Sequence, residues 1–429
     1  MATIEFPFGK TKMGLELAES RLRGVLVSGL HAYTPEADGE ELVRRAMATP
    51  VGSEPLSALA RGKQKVVIIA SDHTRPVPSK VIIPQMLAEI RRGNPQADIT
   101  ILIATGCHRE TTREELADKF GEKILREEKI YVHDCDDAAM LTDIGVLPSG
   151  GACIVNKLAV EADLLLAEGF IEPHFFAGYS GGRKSVLPGI CSRKTVLANH
   201  CAEFIDSPSA RTGILAGNPI HRDMVWAARR VGLAYIVNVV LGADKQVVYA
   251  VAGDVEKAHE AGCAFLSKYC GAFAEPSDIV ISTNGGYPLD QNIYQSVKGM
   301  TAAEAAVKEG GVIIMLASAD DGTGGEEFHR CMKAGKTPRG IYDEIMTRGR
   351  NETVGDQWMT QILSRILMRA SVIYVSNADD DLVRDYHLIP AKTLDEAMRI
   401  AEQLLGKSDA SVNAIPDGVA VMVLPKTAD

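Results

Sequence analysis

The sequence predicts an α/β protein built from two α/β domains. Three observations carry that expectation. Runs of strand length at residues 65–70, 99–104, 162–168, 278–283, 311–316 and 371–376 are mostly apolar and lack period-two alternation, as strands buried on both faces of a parallel sheet do. Each run empties into a loop marked by Gly, Pro or Asn, and a helix-compatible stretch follows. The chain has 429 residues, enough for two or three domains with large cores.

Taken in order, residues 1–60 read as strands followed by a helix over 39–47. The run 65–70 leads into Ser71-Asp72-His73-Thr74-Arg75-Pro76, where Pro76 biases Arg75 toward extended backbone, so this segment is a loop before a helix over 80–92. The run 99–104 leads into Thr105-Gly106-Cys107-His108-Arg109-Glu110, and Thr112 with Glu115 forms a capping box for the next helix. The run 162–168 feeds a glycine-rich stretch, residues 172–189, and Ser192 caps a helix carried through His200. Strands follow at 234–241 and 247–251, then a helix from 255 to 269. Ala274-Glu275-Pro276-Ser277 marks a boundary, which divides the chain into domains at 1–273 and 274–412, with 413–429 a closing strand returning to the first.

In the second domain the strand 278–283 precedes a helix carrying Gln291, Tyr294, Gln295 and Lys298 on one face. Thr301 with Glu304 starts another helix, 320–325 is an acidic glycine loop, and Trp358 lies in a polar stretch before a helix over 360–369. The strand 371–376 and a helix capped by Thr393 and Glu396 complete the domain.

Composition bounds the function. Lys and Arg number 46 against 56 Asp and Glu, a net charge of −10, which disfavours broad binding to nucleic acid or anionic membrane. No apolar run reaches membrane-span length and no export signal opens the chain, so the expected location is the cytoplasm. Eight cysteines without a CxxC pair suit reduced thiols rather than disulfides or a thiolate zinc site.

The loops after the first three strands carry Asp72, Arg75, His108, His174 and Lys184, and a parallel sheet would bring them to one edge. Two histidines can serve as general acid and base. Arg75 and Lys298 suit a small carboxylate or phosphate. Lys184, beside Gly-Gly-Arg, is a candidate nucleophile, and His200 a candidate metal ligand. Plain readings stand beside these: Arg75 as a structural clasp on Asp72, Trp358 as core, and His73, His133, His221, His259 and His387 as ordinary solvated histidines, with His31 and His329 equally unremarkable. Cys107 beside His108 lacks a placed partner for nucleophilic work. Lys184-Ser185 is not a P-loop, because Arg183 stands where the preceding glycine is required.

Ser71-Asp72-His73-Thr74-Arg75-Pro76, Gly106-Cys107-His108-Arg109-Glu110, residues 172–189 with His200, and Tyr294-Gln295-Ser296-Val297-Lys298-Gly299 together resemble the nickel-dependent lactate racemase family over essentially the whole chain, Trp358 included. The resemblance implies two α/β domains with the cofactor site at their interface. It implies a nickel-pincer nucleotide, a pyridinium mononucleotide with thioamide and thiocarboxylate arms, covalently held by Lys184, with His200 as the protein ligand to nickel. His108 and His174 match its acid–base pair, Asp72 a position near the cofactor, and Arg75, Tyr294, Gln295, Lys298 and Trp358 its substrate site. The implied reaction interconverts D- and L-lactate, or a close 2-hydroxy acid, by reversible hydride transfer through a 2-keto acid. Proteins that make the cofactor are implied partners. The alternatives are a racemase or epimerase of malate, 2-hydroxyglutarate, phenyllactate or a sugar acid, a zinc hydrolase built on His108, His174 and His200, and a carboxylate-binding protein.

Overall fold

A computed structural model describes residues 1–425, and the chain is mixed α/β. Contacts divide it into two units. One comprises residues 30–200 and 207–268; the other comprises 1–29, 201–206 and the chain from 269 onward.

The 30–268 unit is built on a six-stranded sheet in the order Val247–Gly253, Leu233–Leu241, Leu164–Phe170, Lys65–Ser71, Asp98–Ala104, Lys129–Val132. All neighbours are parallel except the antiparallel pair Leu233–Leu241 with Val247–Gly253. Leu164–Phe170 is buried at every position, which explains its unbroken apolar character. Ser71 pairs with Ala104 and Ile69 with Ala167. The loops that begin at Asp72, Thr105 and Ile171 therefore leave the same edge of the sheet, at the carboxyl ends of the strands. Helix Ser79–Gly93 and the sheet share a core that includes Ile68, Ile82, Ile83, Met86, Ile101 and Leu166.

The other unit holds a second six-stranded sheet, Ile389–Ala391, Ser371–Val375, Val307–Leu316, Ser277–Thr283, Val412–Ile415, Leu22–Val25, parallel throughout. Its core takes Ile4, Phe6, Phe8, Leu15 and Leu17 from the N-terminal hairpin Ala2–Phe8 with Thr11–Leu17. Because Leu22 pairs with Val412 and the hairpin packs on this core, the first 29 residues group here rather than with the domain a cut at residue 273 would give them. The closing run forms Met422–Pro425, parallel to Gly271–Ala274 within this same unit; the rest of the expected closing strand, 426–429, lies outside the described residues.

Two local expectations change. Thr301 does not start a helix: Ile293–Ala306 is continuous, and the Thr301 hydroxyl donates to Lys298 O at 2.6 Å. Trp358 lies in the first turn of helix Gln357–Arg369, not ahead of it. Among the described residues no helix is long and apolar enough to cross a membrane.

Candidate active site

The loop after Lys65–Ser71 turns back at once. Asp72 is buried and its Oδ2 lies 2.7 Å from His108 Nδ1. A carboxylate only accepts, so Nδ1–H donates and the far nitrogen, Nε2, is left for chemistry. The Thr74 hydroxyl donates to Asp72 Oδ1 at 2.7 Å, and Arg75 Nη1 donates to Thr74 Oγ1 at 3.0 Å. Arg75 is thus tied to Asp72 through Thr74, not by the direct clasp that was one sequence reading, and its side chain is exposed. Burial pushes the Asp72 carboxyl up, but the His108 bond and charge, Thr74 and Arg75 outweigh it and leave the group below its ordinary value.

Two groups brace this loop. Lys119 Nζ donates to the carbonyls of Arg75 (3.2 Å) and Val77 (3.5 Å). Beneath it Glu168, on Leu164–Phe170, accepts from Ser79 Oγ at 2.7 Å; burial pushes its carboxyl up although Lys119 and the serines pull the other way. Neither Lys119 nor Glu168 stood out in the sequence. A charged residue inside an otherwise apolar strand was the available signal for Glu168; nothing in the local pattern announced Lys119.

The glycine-rich stretch forms a short hairpin, Pro173–His174 against Gly178–Tyr179, then a tight turn Gly182–Ser185. Gly181 at φ 75° must be glycine, since a Cβ there would lie 2.8 Å from Phe170 O. The turn delivers Lys184 Nζ to 3.3 Å from His174 Nε2. Ala177 N–H donates to His174 Nδ1 at 3.3 Å, so a neutral ring carries its hydrogen on Nε2, toward the lysine.

Phe176 gathers the rest. Its ring lies edge-on to His174 (4.5 Å between centroids) and to His200 (5.1 Å), and Lys184 Nζ sits 5.7 Å from its centre. His200 is the residue just past helix Arg193–Asn199 rather than within it. Burial first, and the Lys184 charge second, pull its pKa down to about 3, so it is a neutral imidazole, the form that binds metals. The His108 loop meets this stretch where Gly106 N–H donates to Gly189 O at 2.9 Å.

Arg183 is the knot under the turn. Fully buried, it donates to the carbonyls of Ala177 (2.7 Å) and Tyr179 (2.8 Å) and to His221 Nδ1 (3.0 Å), and it lies 2.9 Å from His259 Nε2. Burial pulls it down to about 10, so it stays cationic, and burial with its charge keeps His221 near 3. His221 and His259 are thus structural partners of a buried cation, not the solvated residues the sequence suggested. His133 is likewise structural, buried against Cys191 O and Asn156. The Cys107 thiol is pushed up by the Cys135 thiol beside it and by burial, which removes it as a nucleophile.

In the other unit, Asn292 caps helix Ile293–Ala306 by accepting from Gln295 N. Gln291, just ahead of the helix, and Tyr294, Gln295 and Lys298 on it are partly exposed, while Ile293, Ser296, Val297 and Gly299 are buried, so the expected polar face is present. Trp358 Nε1 donates to the Tyr294 hydroxyl at 3.2 Å, and Tyr294 bonds Asp356, which sequence reasoning passed over. Among the described residues, the group of three His, Cys, Asp or Glu ligand atoms within 4.8 Å of one another is Asp134, Cys135 and Asp136; His108, His174 and His200 are not grouped that closely.

Comparison with known proteins gives a consistent result. Residues 8–213 match the family model "Lactate racemase N-terminal domain" and residues 273–423 match "Lactate racemase C-terminal domain". The chain is 53% identical to a lactate racemase of Thermoanaerobacterium thermosaccharolyticum over 99% of this chain and 100% of that protein. It is 52% identical to one of Lactiplantibacillus plantarum, with the same coverage. The solved lactate racemase apoprotein from T. thermosaccharolyticum superposes with a TM-score of 0.95, covering 99% of this chain and all of that one. A Thermotoga maritima protein of 17% identity superposes at 0.68 over 91% of the chain, a likeness of fold.

Proposed function

The chain belongs to the lactate racemase family, and from that premise we propose that it is an isomerase interconverting D- and L-lactate on a nickel-pincer nucleotide joined to Lys184. The observation that carries the reading is the grouping of His174, Lys184 and His200 around Phe176, beside the loop that carries the Asp72–His108 pair.

The residues fit the cofactor. His200 is buried and neutral, a ligand suited to nickel(II), and Lys184 Nζ, the amine a covalent link needs, lies 3.3 Å from His174 Nε2. When bound, the nucleotide would supply a reversible acceptor for the substrate α-hydrogen as hydride. The chain's own groups move protons and hold the substrate. His108, with Nδ1–H fixed by Asp72, receives or returns the hydroxyl proton at Nε2, and the carboxylate behind it stabilises the charged ring. His174, with Nδ1 occupied by Ala177 N–H, exchanges its proton at Nε2. A second base for the same proton lets either enantiomer be the starting material. Exposed Arg75 offers a planar fork to the substrate carboxylate. Tyr294, Gln295, Lys298 and Trp358 complete the substrate-binding set. The proteins that build the cofactor are the partners this reading requires, and the cytoplasm is its location.

The test is expression with those cofactor-building proteins. We expect an intact mass raised by a Lys184 adduct, stoichiometric nickel, and conversion of either lactate enantiomer to the mixture. An unmodified Lys184 together with no lactate racemisation under those conditions overturns the reading.

A further inference from the structure

Asp356 stands one residue ahead of helix Gln357–Arg369, where an aspartate ordinarily caps the helix by accepting from its first N–H groups. Here it makes no such bond, and its backbone is left-handed at φ 59°. Its carboxylate instead meets the Tyr294 hydroxyl. Directions in this chain of contacts are fixed by chemistry. An indole N–H can only donate, so Trp358 gives its hydrogen to the Tyr294 oxygen, and the phenolic hydrogen goes to Asp356. A Cβ at Gly325 would lie 3.0 Å from Tyr294 Cδ2 and 3.1 Å from Asp356 Oδ2, so backbone closes one side of the pair and side-chain freedom is small. The Phe328 ring stands edge-on to Tyr294, 5.8 Å between centroids. The result is an aromatic wall with a carboxyl group set into it: burial pushes that carboxyl up, the Tyr294 phenol pulls it back, and the like charge of Glu327 pushes it up again.

We propose that the Asp356 carboxylate is a specificity determinant: it lets the Tyr294–Trp358 wall accept a small apolar substituent and turns away a substituent bearing a second carboxylate. Substrates are then 2-hydroxy monocarboxylates such as lactate, and 2-hydroxy dicarboxylates such as malate are disfavoured. The inference rests on Tyr294 and Trp358 being substrate positions, as proposed above. A methyl group meets only ring faces, whereas a second carboxylate would face a like charge, which selects against it as strongly as an attractive contact selects for a partner.

Two variants separate side chain from backbone. Asp356→Asn keeps left-handed backbone and an acceptor for the phenol but removes the charge; Asp356→Gly keeps only the backbone. With cofactor-loaded enzyme, the ratio of kcat/KM for D-lactate to that for D-malate is expected to fall at least about tenfold in both, mainly through a lower KM for malate. If wild type racemises lactate and the ratio stays within about twofold in both variants, the inference is wrong and the functional reading survives. If wild type racemises neither acid, both fall. A second readout needs no cofactor. In a Trp226→Phe background Trp358 is the sole tryptophan. Asp356→Asn is expected to raise quenching of its fluorescence by iodide about twofold and leave quenching by neutral acrylamide unchanged, because only the anion feels the carboxylate. An equal change with both quenchers, or none with iodide, overturns the proposal.

Discussion

At the scale of single residues, Asp72 decides what His108 can do. The 2.7 Å bond fixes the tautomer that leaves Nε2 reactive. Asp72→Asn can reverse it, since an amide NH2 donates to Nδ1 and moves the ring hydrogen to Nε2. We expect kcat to fall about 100-fold, the scale of one acid–base group, with KM for lactate changed far less, as steady-state kinetics on loaded enzyme would show. Stability carries a second signature. Asp72 lies below its ordinary value, so its contribution is complete above the unfolded value near pH 3.9 and is lost as pH falls through the depressed one. The variant should therefore have a flatter melting-temperature profile below about pH 4 than wild type, and the same steepness as wild type would show that His108 and Thr74 do not hold the carboxylate. The sequence supplied Asp72 and His108 as neighbours of strand ends, but 36 positions apart; that they bond, and through which nitrogen, is set by the register of two parallel strands.

At the scale of elements, helix Arg113–Phe120 acts as a strut between two site loops. Its start is fixed by the capping box of Thr112 and Glu115, and Glu115 also pairs with Arg109 beside His108. Its end sends Lys119 to the carbonyls of Arg75 and Val77. The capping box was legible because it is a local pattern of four residues. The reach of Lys119 was not, because it depends on where the helix packs. The same limit explains Thr301, which has the residues of a helix start but sits within the continuous helix Ile293–Ala306, its hydroxyl bonded back to Lys298 O. Thr112→Ala should cost about 1 kcal/mol of stability, measured by denaturant unfolding. Lys119→Met should raise KM for lactate about tenfold with kcat within a factor of about two, since it loosens the loop that presents Arg75 without touching the imidazoles. A fall in kcat with unchanged KM would mean that Lys119 acts on Asp72 rather than on Arg75.

At the scale of the whole molecule, two cores of comparable kind are built from interleaved pieces of chain. Fold class and the six apolar strands were readable from length and run composition, because a strand buried on both faces advertises itself. The partner of the N-terminal hairpin was not. Alternation at Ile4, Phe6 and Phe8 says that one face is buried, but not against which sheet, and the answer depends on Leu22 pairing with Val412 almost 400 residues away. This grouping has a direct consequence. Phe6 is fully buried in the core with Ile279, Ile281, Ile314 and Ile373, so Phe6→Ala should cost about 3–5 kcal/mol. The loss should fall on one unit. In native-state hydrogen exchange, protection is expected to drop in Ser277–Thr283, Val307–Leu316 and Val412–Ile415 and to persist in Lys65–Ser71 and Leu164–Phe170, whose core the hairpin does not enter. Equal loss in both sheets would show that the two cores unfold as one cooperative body, and that the division of contacts does not mark a division of stability.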